Sequence, residues 1–184
     1  LKLNPEKKTT VYFSSWGQLT NAHDDLRRFE EALEAVALSG FDQLIVKLHP
    51  GEAPNVEQEY LRFFNELGTK ALVTRQYFEI VLSAADICLA LGPSNALVDA
   101  AIMDVPGICV RMPGYAMNHP AIPEIEPDEV RIGVDEYDLE KWNVHKDDFI
   151  YQMTGSQIGQ AARNVARWAH RCIKQKTKYQ FVGA

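Results

Sequence analysis

The sequence predicts an α/β fold: a Rossmann-like open parallel sheet of about six strands with helices on both faces. Three observations carry that reading. Short apolar runs rich in strand formers alternate with amphipathic segments, in a strand–helix order repeated about five times. The runs end in turn residues, at Trp16-Gly17, His49-Pro50-Gly51 and Gly92-Pro93-Ser94-Asn95. No internal repeat, linker or low-complexity segment interrupts the pattern, so residues 1–184 read as one domain.

Val11 to Ser15 is the first strand. Leu26, Phe29, Leu33, Val36 and Ala37 then recur at helical spacing, with Asp24 able to cap the start and Gly40 the end. Leu44 to Leu48 is the second strand, followed by a helix marked by Val56, Tyr60, Phe63, Phe64 and Leu67 and closed by Gly68. Ala71 to Val73 is a short third strand, and Phe78, Val81, Leu82 and Ala85 give a one-faced helix after it. Ile87 to Leu91 is the fourth strand, Ala96 to Met103 its helix, and Ile108 to Val110 the fifth strand. Met112 to Pro127 holds four prolines without periodicity and reads as a long loop. Val130 to Val134 reads as the sixth strand, and Ile158 to Ile173 as a final amphipathic helix.

The net charge of −6 argues against a general nucleic-acid binder. The start, LKLNPEKKTT, lacks the apolar core of a signal peptide, and no run of about 18 apolar residues occurs. Cys88, Cys109 and Cys172 show no C-x-x-C spacing and read as buried small hydrophobes in a reducing, cytoplasmic setting. The chain begins at Leu1 without an initiating Met, and it is expected to be a piece of something larger. Arg163, Arg167, Arg171 and Lys174 share one side of the last helix. That basic face is either solvated or a docking surface for a further domain or an anionic membrane, at the inner face of the membrane.

In open α/β sheets a ligand binds beyond the carboxyl ends of the strands, where the strand order reverses. For the order 3-2-1-4-5-6 that point lies between strands one and four. Ser14, Ser15 and Gly17 follow strand one, and Gly92, Ser94 and Asn95 follow strand four. His49 follows strand two, Arg75 strand three, and Arg111 ends strand five. Ser94 stands at a helix N-cap, where free backbone N–H groups and the helix dipole suit phosphate. Its hydroxyl could donate to phosphate while Asn95 and Ala96 offer backbone N–H groups, or it could be an ordinary cap. Ser15 and Gly17 could present backbone to phosphate, Gly17 being equally a turn residue. His49, fixed by Pro50, could donate to phosphate or protonate a leaving oxygen; it could equally cap the strand end. Asp99 could accept ribose hydroxyls or face solvent, and Arg111 could neutralise a diphosphate.

Other devices are missing. There is no G-x-G-x-x-G, no G-x-x-x-x-G-K-[ST] and no G-x-S-x-G. His23, His119, His145 and His170 have no metal-ligand spacing, so neither a required metal nor a cofactor is indicated.

Strand–Ser-Trp, then Lys47-Leu48-His49-Pro50, then a strand leading to a Ser-headed helix resembles the C-terminal half of GT-B glycosyltransferases. The likeness is to the bacterial envelope and capsule group, with its teichoic-acid glycerophosphotransferases, capsule polymerases and sialyltransferases. It covers residues 10 to 135. Lys47-Leu48-His49-Pro50 looks like that group's His-Pro motif, and Gly92-Pro93-Ser94-Asn95 stands at its Ser-rich motif, with Gly92 in place of Asp and Asn95 in place of the second Ser. The resemblance implies binding of a CDP-, CMP- or UDP-linked sugar or polyol donor. His49 and Ser94 would contact the donor phosphate, the Val73–Tyr77 stretch with Arg75 and Tyr77 would face the base, and Arg111 would lie beside the phosphates. The acceptor-binding N-terminal half is absent, so this chain alone is expected to bind donor and catalyse little. Two rival expectations remain: half of a UDP-N-acetylglucosamine 2-epimerase, which shares the layout with Asp99 at best in place of its Glu, and a non-catalytic nucleotide-binding or assembly module.

Overall fold

The apolar runs pair side by side in one parallel sheet. In the computed structural model the described residues are 3–14, 30, 31, 33, 34, 36, 42–112, 122, 124–125 and 139–154. The strands are β1 (Thr9–Phe13), β2 (Gln43–Lys47), β3 (Ala71–Thr74), β4 (Ile87–Leu91), β5 (Gly107–Val110) and β6 (Glu124–Ile125). Their spatial order is β3-β2-β1-β4-β5-β6, every neighbouring pair parallel. The order reverses between β1 and β4, as the sequence predicts. The helices are α1 (Val56–Glu66), α2 (Phe78–Leu82), α3 (Asn95–Ile102) and α4 (Leu139–Thr154). Glu30, Glu31, Leu33, Glu34 and Val36 are helical too, inside the predicted first helix.

Alternation along each strand divides the core in two. Tyr12, Leu44, Val46, Leu89, Leu91, Ile108 and Val110 face one layer, with Val56, Tyr60 and Phe64 of α1 and with Leu33 and Val36. Val11, Phe13, Ile45, Cys88, Ala90 and Cys109 face the other, with Val81 and Leu82 of α2, Leu97, Val98, Ala100 and Ala101 of α3, and Phe149 and Ile150 of α4. Each side chain fully buried in this way stabilises the fold by roughly 1.5–3 kcal/mol. Cys88 and Cys109 are buried, as expected. Burial pushes the Cys109 thiol up to about 12 and raises Cys88 further, so neither forms thiolate at neutral pH.

Two helices end in the same left-handed hydrogen-bonded turn. After α1, Gly68 at φ 74° closes it, with its N–H on the Asn65 carbonyl at 3.0 Å and Thr69 N–H on that of Phe64 at 2.9 Å. After α3, Asp104 takes that place at φ 62°, with its N–H on Ala101 and Val105 N–H on Ala100. Its carboxylate also pairs with Lys146 of α4. Asp104→Ala is expected to lower stability by about 1 kcal/mol, because Ala has no local hydrogen bond to offset the left-handed backbone. Asp104→Asn should change it by less than about 0.5 kcal/mol, since Asn tolerates that region and an exposed ion pair is worth little. Urea midpoints at constant slope would check both.

The structure corrects the sequence reading in two places. The long loop from Met112 contains β6, whose Ile125 pairs with Val110. Helix α4 was not foreseen, because its buried anchors, Phe149 and Ile150, are adjacent rather than at helical spacing, while Val144, Tyr151 and Met153 stay exposed. The Val130–Val134 strand, the Ile158–Ile173 helix with its basic face, and Cys172 lie outside the described residues. Among the described residues, no helix is long and apolar enough to cross a membrane.

Candidate functional site

Parallel strands deliver their carboxyl ends to one edge of the sheet, where Ser14 after β1 and the turns after β2, β3 and β4 lie. Register fixes which residues are neighbours. Phe13 pairs with Lys47 and Ala90, and Lys47 with Thr74, so Ser14, Leu48, Arg75 and Leu91 continue one row. Backbone bonds extend the row past the strands: Ser14 N–H donates to the Lys47 carbonyl at 3.0 Å and Leu48 N–H to that of Thr74 at 3.0 Å.

The loop after β2 is held by a buried carboxylate. Glu52 is only 9% exposed. Its Oε2 accepts the Ser14 hydroxyl and the His49 N–H at 2.9 Å, and the same N–H reaches Ser14 Oγ at 2.9 Å. Arg75 clamps the loop from the β3 side, its Nη2 donating to the Glu52 carbonyl at 3.3 Å and the Ala53 carbonyl at 2.8 Å. Below, Tyr12 and Tyr60 are fully buried with ring centroids 6.0 Å apart. Burial first, then the Tyr12 neighbour, holds the Tyr60 phenol well above its usual range, while Ser14 works against that rise. A buried polar layer of Tyr12, Tyr60, Ser14 and Glu52 therefore underlies the His49 loop.

His49 itself is exposed at the edge. Lys47, by contrast, is 8% exposed, with Nζ donating to the Leu48 carbonyl at 2.6 Å. Burial lowers its pKa first, the nearby Arg75 cation adds to that, and Glu52 opposes it. Lys47 and Glu52 are the residues that sequence reasoning passed over. A lysine at an inward position of an apolar strand was the available signal for the first. The second carried only its place after Pro50-Gly51.

The β4 turn depends on Gly92, at φ 70°, whose N–H donates to the Val110 carbonyl at 2.9 Å. Only glycine takes that conformation without cost. Ser94 is the N-cap of α3, its Oγ accepting the Ala96 N–H at 3.2 Å. Asn95 is exposed in the first turn. Tyr77, at the start of α2, is 77% exposed.

The edge thus holds His49, Arg75, Ser94 and Asn95, with Tyr77 two residues after Arg75. Arg111, one residue beyond β5, is engaged with Glu124 of β6 at 3.7 Å. Asp99 lies on the exposed side of α3. Ser15 and Gly17 lie outside the described residues. Among the described residues no three His, Cys, Asp or Glu side chains converge to hold a metal.

Asp99 yields a pH prediction. Although its side chain reaches solvent, partial desolvation first, then the Glu79 carboxylate, raises its pKa above the ordinary 3.8. Folding therefore favours the protonated form. The stability that this supplies is fully present below pH 3.8 and is lost as pH rises through the folded value. Asp99→Asn should flatten that fall and leave the variant more stable than the parent at neutral pH, measured as urea midpoints across the acid range.

A cavity of about 500 Å³ opens at the opposite edge, lined by Leu3, Asn4, Lys7, Thr9, Ile80 and Asp86 among others. Two of its polar side chains are committed to structure. Asp86 Oδ2 accepts the Thr9 N–H at 2.7 Å and Ser83 Oγ donates to the Ile80 carbonyl at 2.9 Å. The carboxyl edge, where the strand order reverses and His49, Arg75 and Asn95 are exposed, is the better candidate.

Solved structures with this layout decide the fold family. The chain matches the wall teichoic acid polymerase TagF with TM-score 0.58 at 16% identity, over 96% of this chain and 46% of that one. The fold is that of a GT-B glycosyltransferase half. The calicheamicin glycosyltransferase CalG4 matches with TM-score 0.53 at 18% identity, over 92% of this chain and 45% of that one. The glycotransferase of kitacinnamycin gives 0.52 at 16% identity, over 91% and 44%. The chain spans a little under half the length of these structures. No protein-family model and no curated protein sequence matches it.

Proposed function

We propose that this chain is the donor-binding half of a GT-B transferase, moving a sugar or polyol phosphate from a CDP-, CMP- or UDP-linked donor to a glycan acceptor in envelope or capsule synthesis. The observation that carries it is that His49, the Ser94-capped start of α3 and Arg75 each follow a strand at the same edge, which holds the β1–β4 reversal. The likeness in fold to TagF, named a wall teichoic acid polymerase, supports the same reading. In it, phosphate meets the α3 backbone N–H groups and the His49 imidazole, and exposed Tyr77 offers a face to the base. A second domain supplies the acceptor, and transition-state stabilisation comes from positioning and phosphate neutralisation without a resident metal.

Calorimetric titration with CMP, CDP, UMP, UDP and GDP tests the reading. At least one should bind, with the diphosphate tighter than its monophosphate. No binding to any of the five would sink the donor-domain assignment.

A further inference from the structure

We propose that Glu52 is the positioning residue of His49: its buried carboxylate fixes the loop so that the neutral imidazole carries its proton on Nε2. Gly51 N–H reaches His49 Nδ1 at 3.0 Å. A backbone N–H can only donate, so Nδ1 must present a lone pair, and the proton of the neutral ring sits on Nε2. Gly51 permits this approach, since a Cβ there would lie 3.3 Å from Nδ1 and 3.5 Å from the adjacent Cε1.

That bond exists only while residues 49–52 hold their turn, and Glu52 holds it three ways. Its N–H donates to the His49 carbonyl at 3.1 Å, its Oε2 accepts the His49 N–H at 2.9 Å, and the same oxygen accepts the Ser14 hydroxyl that also faces that N–H. Such bonds to an ionised acceptor are stronger than neutral ones. A carboxylate is nonetheless a costly choice for turn closure. Glu52 is 9% exposed, and its Oε1 is buried without a hydrogen-bond partner among the described residues. A surface turn needs no such burial, whereas fixing one tautomer of an exposed imidazole needs a backbone that does not fluctuate. The proposal deepens the donor-domain reading, in which Nε2–H is the group that meets donor phosphate.

The decisive measurement is the imidazole nitrogen shifts of His49 by NMR in the ligand-free protein. The parent should show the Nε2–H tautomer. Glu52→Ala should show a mixture, and Glu52→Gln, which keeps an acceptor oxygen for both donors, should restore the single tautomer. Glu52→Asp, one methylene shorter, should also show the mixture and serves if Glu52→Ala does not fold. Far-UV circular dichroism establishes folding in each case. With a nucleotide that binds the parent, Glu52→Ala or Glu52→Asp should lose about tenfold in affinity for the phosphorylated form and leave the nucleoside unchanged. An unchanged tautomer in a folded Glu52→Ala or Glu52→Asp overturns the proposal. The tautomer arm decides it even where no nucleotide binds, an outcome that would remove the donor-domain reading instead.

Discussion

His49→Ala is expected to weaken nucleoside diphosphate binding by about 10- to 100-fold while leaving the free nucleoside within about twofold. The magnitude follows from one hydrogen bond to a charged acceptor, about 1.5–3 kcal/mol, at 1.4 kcal/mol per decade. The selectivity follows from position, because His49 stands after β2 while exposed Tyr77 stands after β3 at the start of α2. His49 is exposed and its side chain packs no core, so its removal should leave the urea midpoint nearly unchanged. Paired titrations of diphosphate and nucleoside separate the two contributions. Equal losses for both would take His49 out of its proposed contact.

Phe64→Ala should cost about 3–5 kcal/mol, a large share of the roughly 5–15 kcal/mol that holds a domain of this kind together. Phe64 is fully buried between α1 and the sheet, stacked on Tyr60 at 6.2 Å and edge-on to Phe63 at 5.5 Å. Deleting the ring leaves a cavity beside Tyr60, the aromatic that supports Ser14 and Glu52 from below. Stability and site geometry should therefore fail together in this variant, unlike His49→Ala. Urea denaturation gives the first loss. Diphosphate affinity at low temperature, where the variant still folds, gives the second.

The sheet was legible because strand and helix periodicities differ and the first, second and fourth strands run into turn residues. The strand order is the usual one for this class of sheet, and the reversal between β1 and β4 comes with it. Helix α4 escaped because Phe149 and Ile150 form no stripe, and β6 escaped because a two-residue strand leaves no periodic trace. At the site, His49 and Ser94 were legible as polar residues after strands. Glu52 was not, because its importance lies in burial, and burial of a charged residue in a loop is set by tertiary partners such as Ser14, 38 positions away. Gly92 reads as a departure from the resembled motif, yet its φ of 70° shows a position governed by backbone conformation.

The Gly92 turn also bears on how this edge withstands sequence drift. It aims the first turn of α3 with main-chain geometry, leaving Pro93 and Asn95 exposed. In the donor-domain reading, recognition supplied by peptide groups is inherited with the fold rather than residue by residue. Chains that share about a sixth of their residues with this one could then keep the same anion cradle while exchanging the side chains around it.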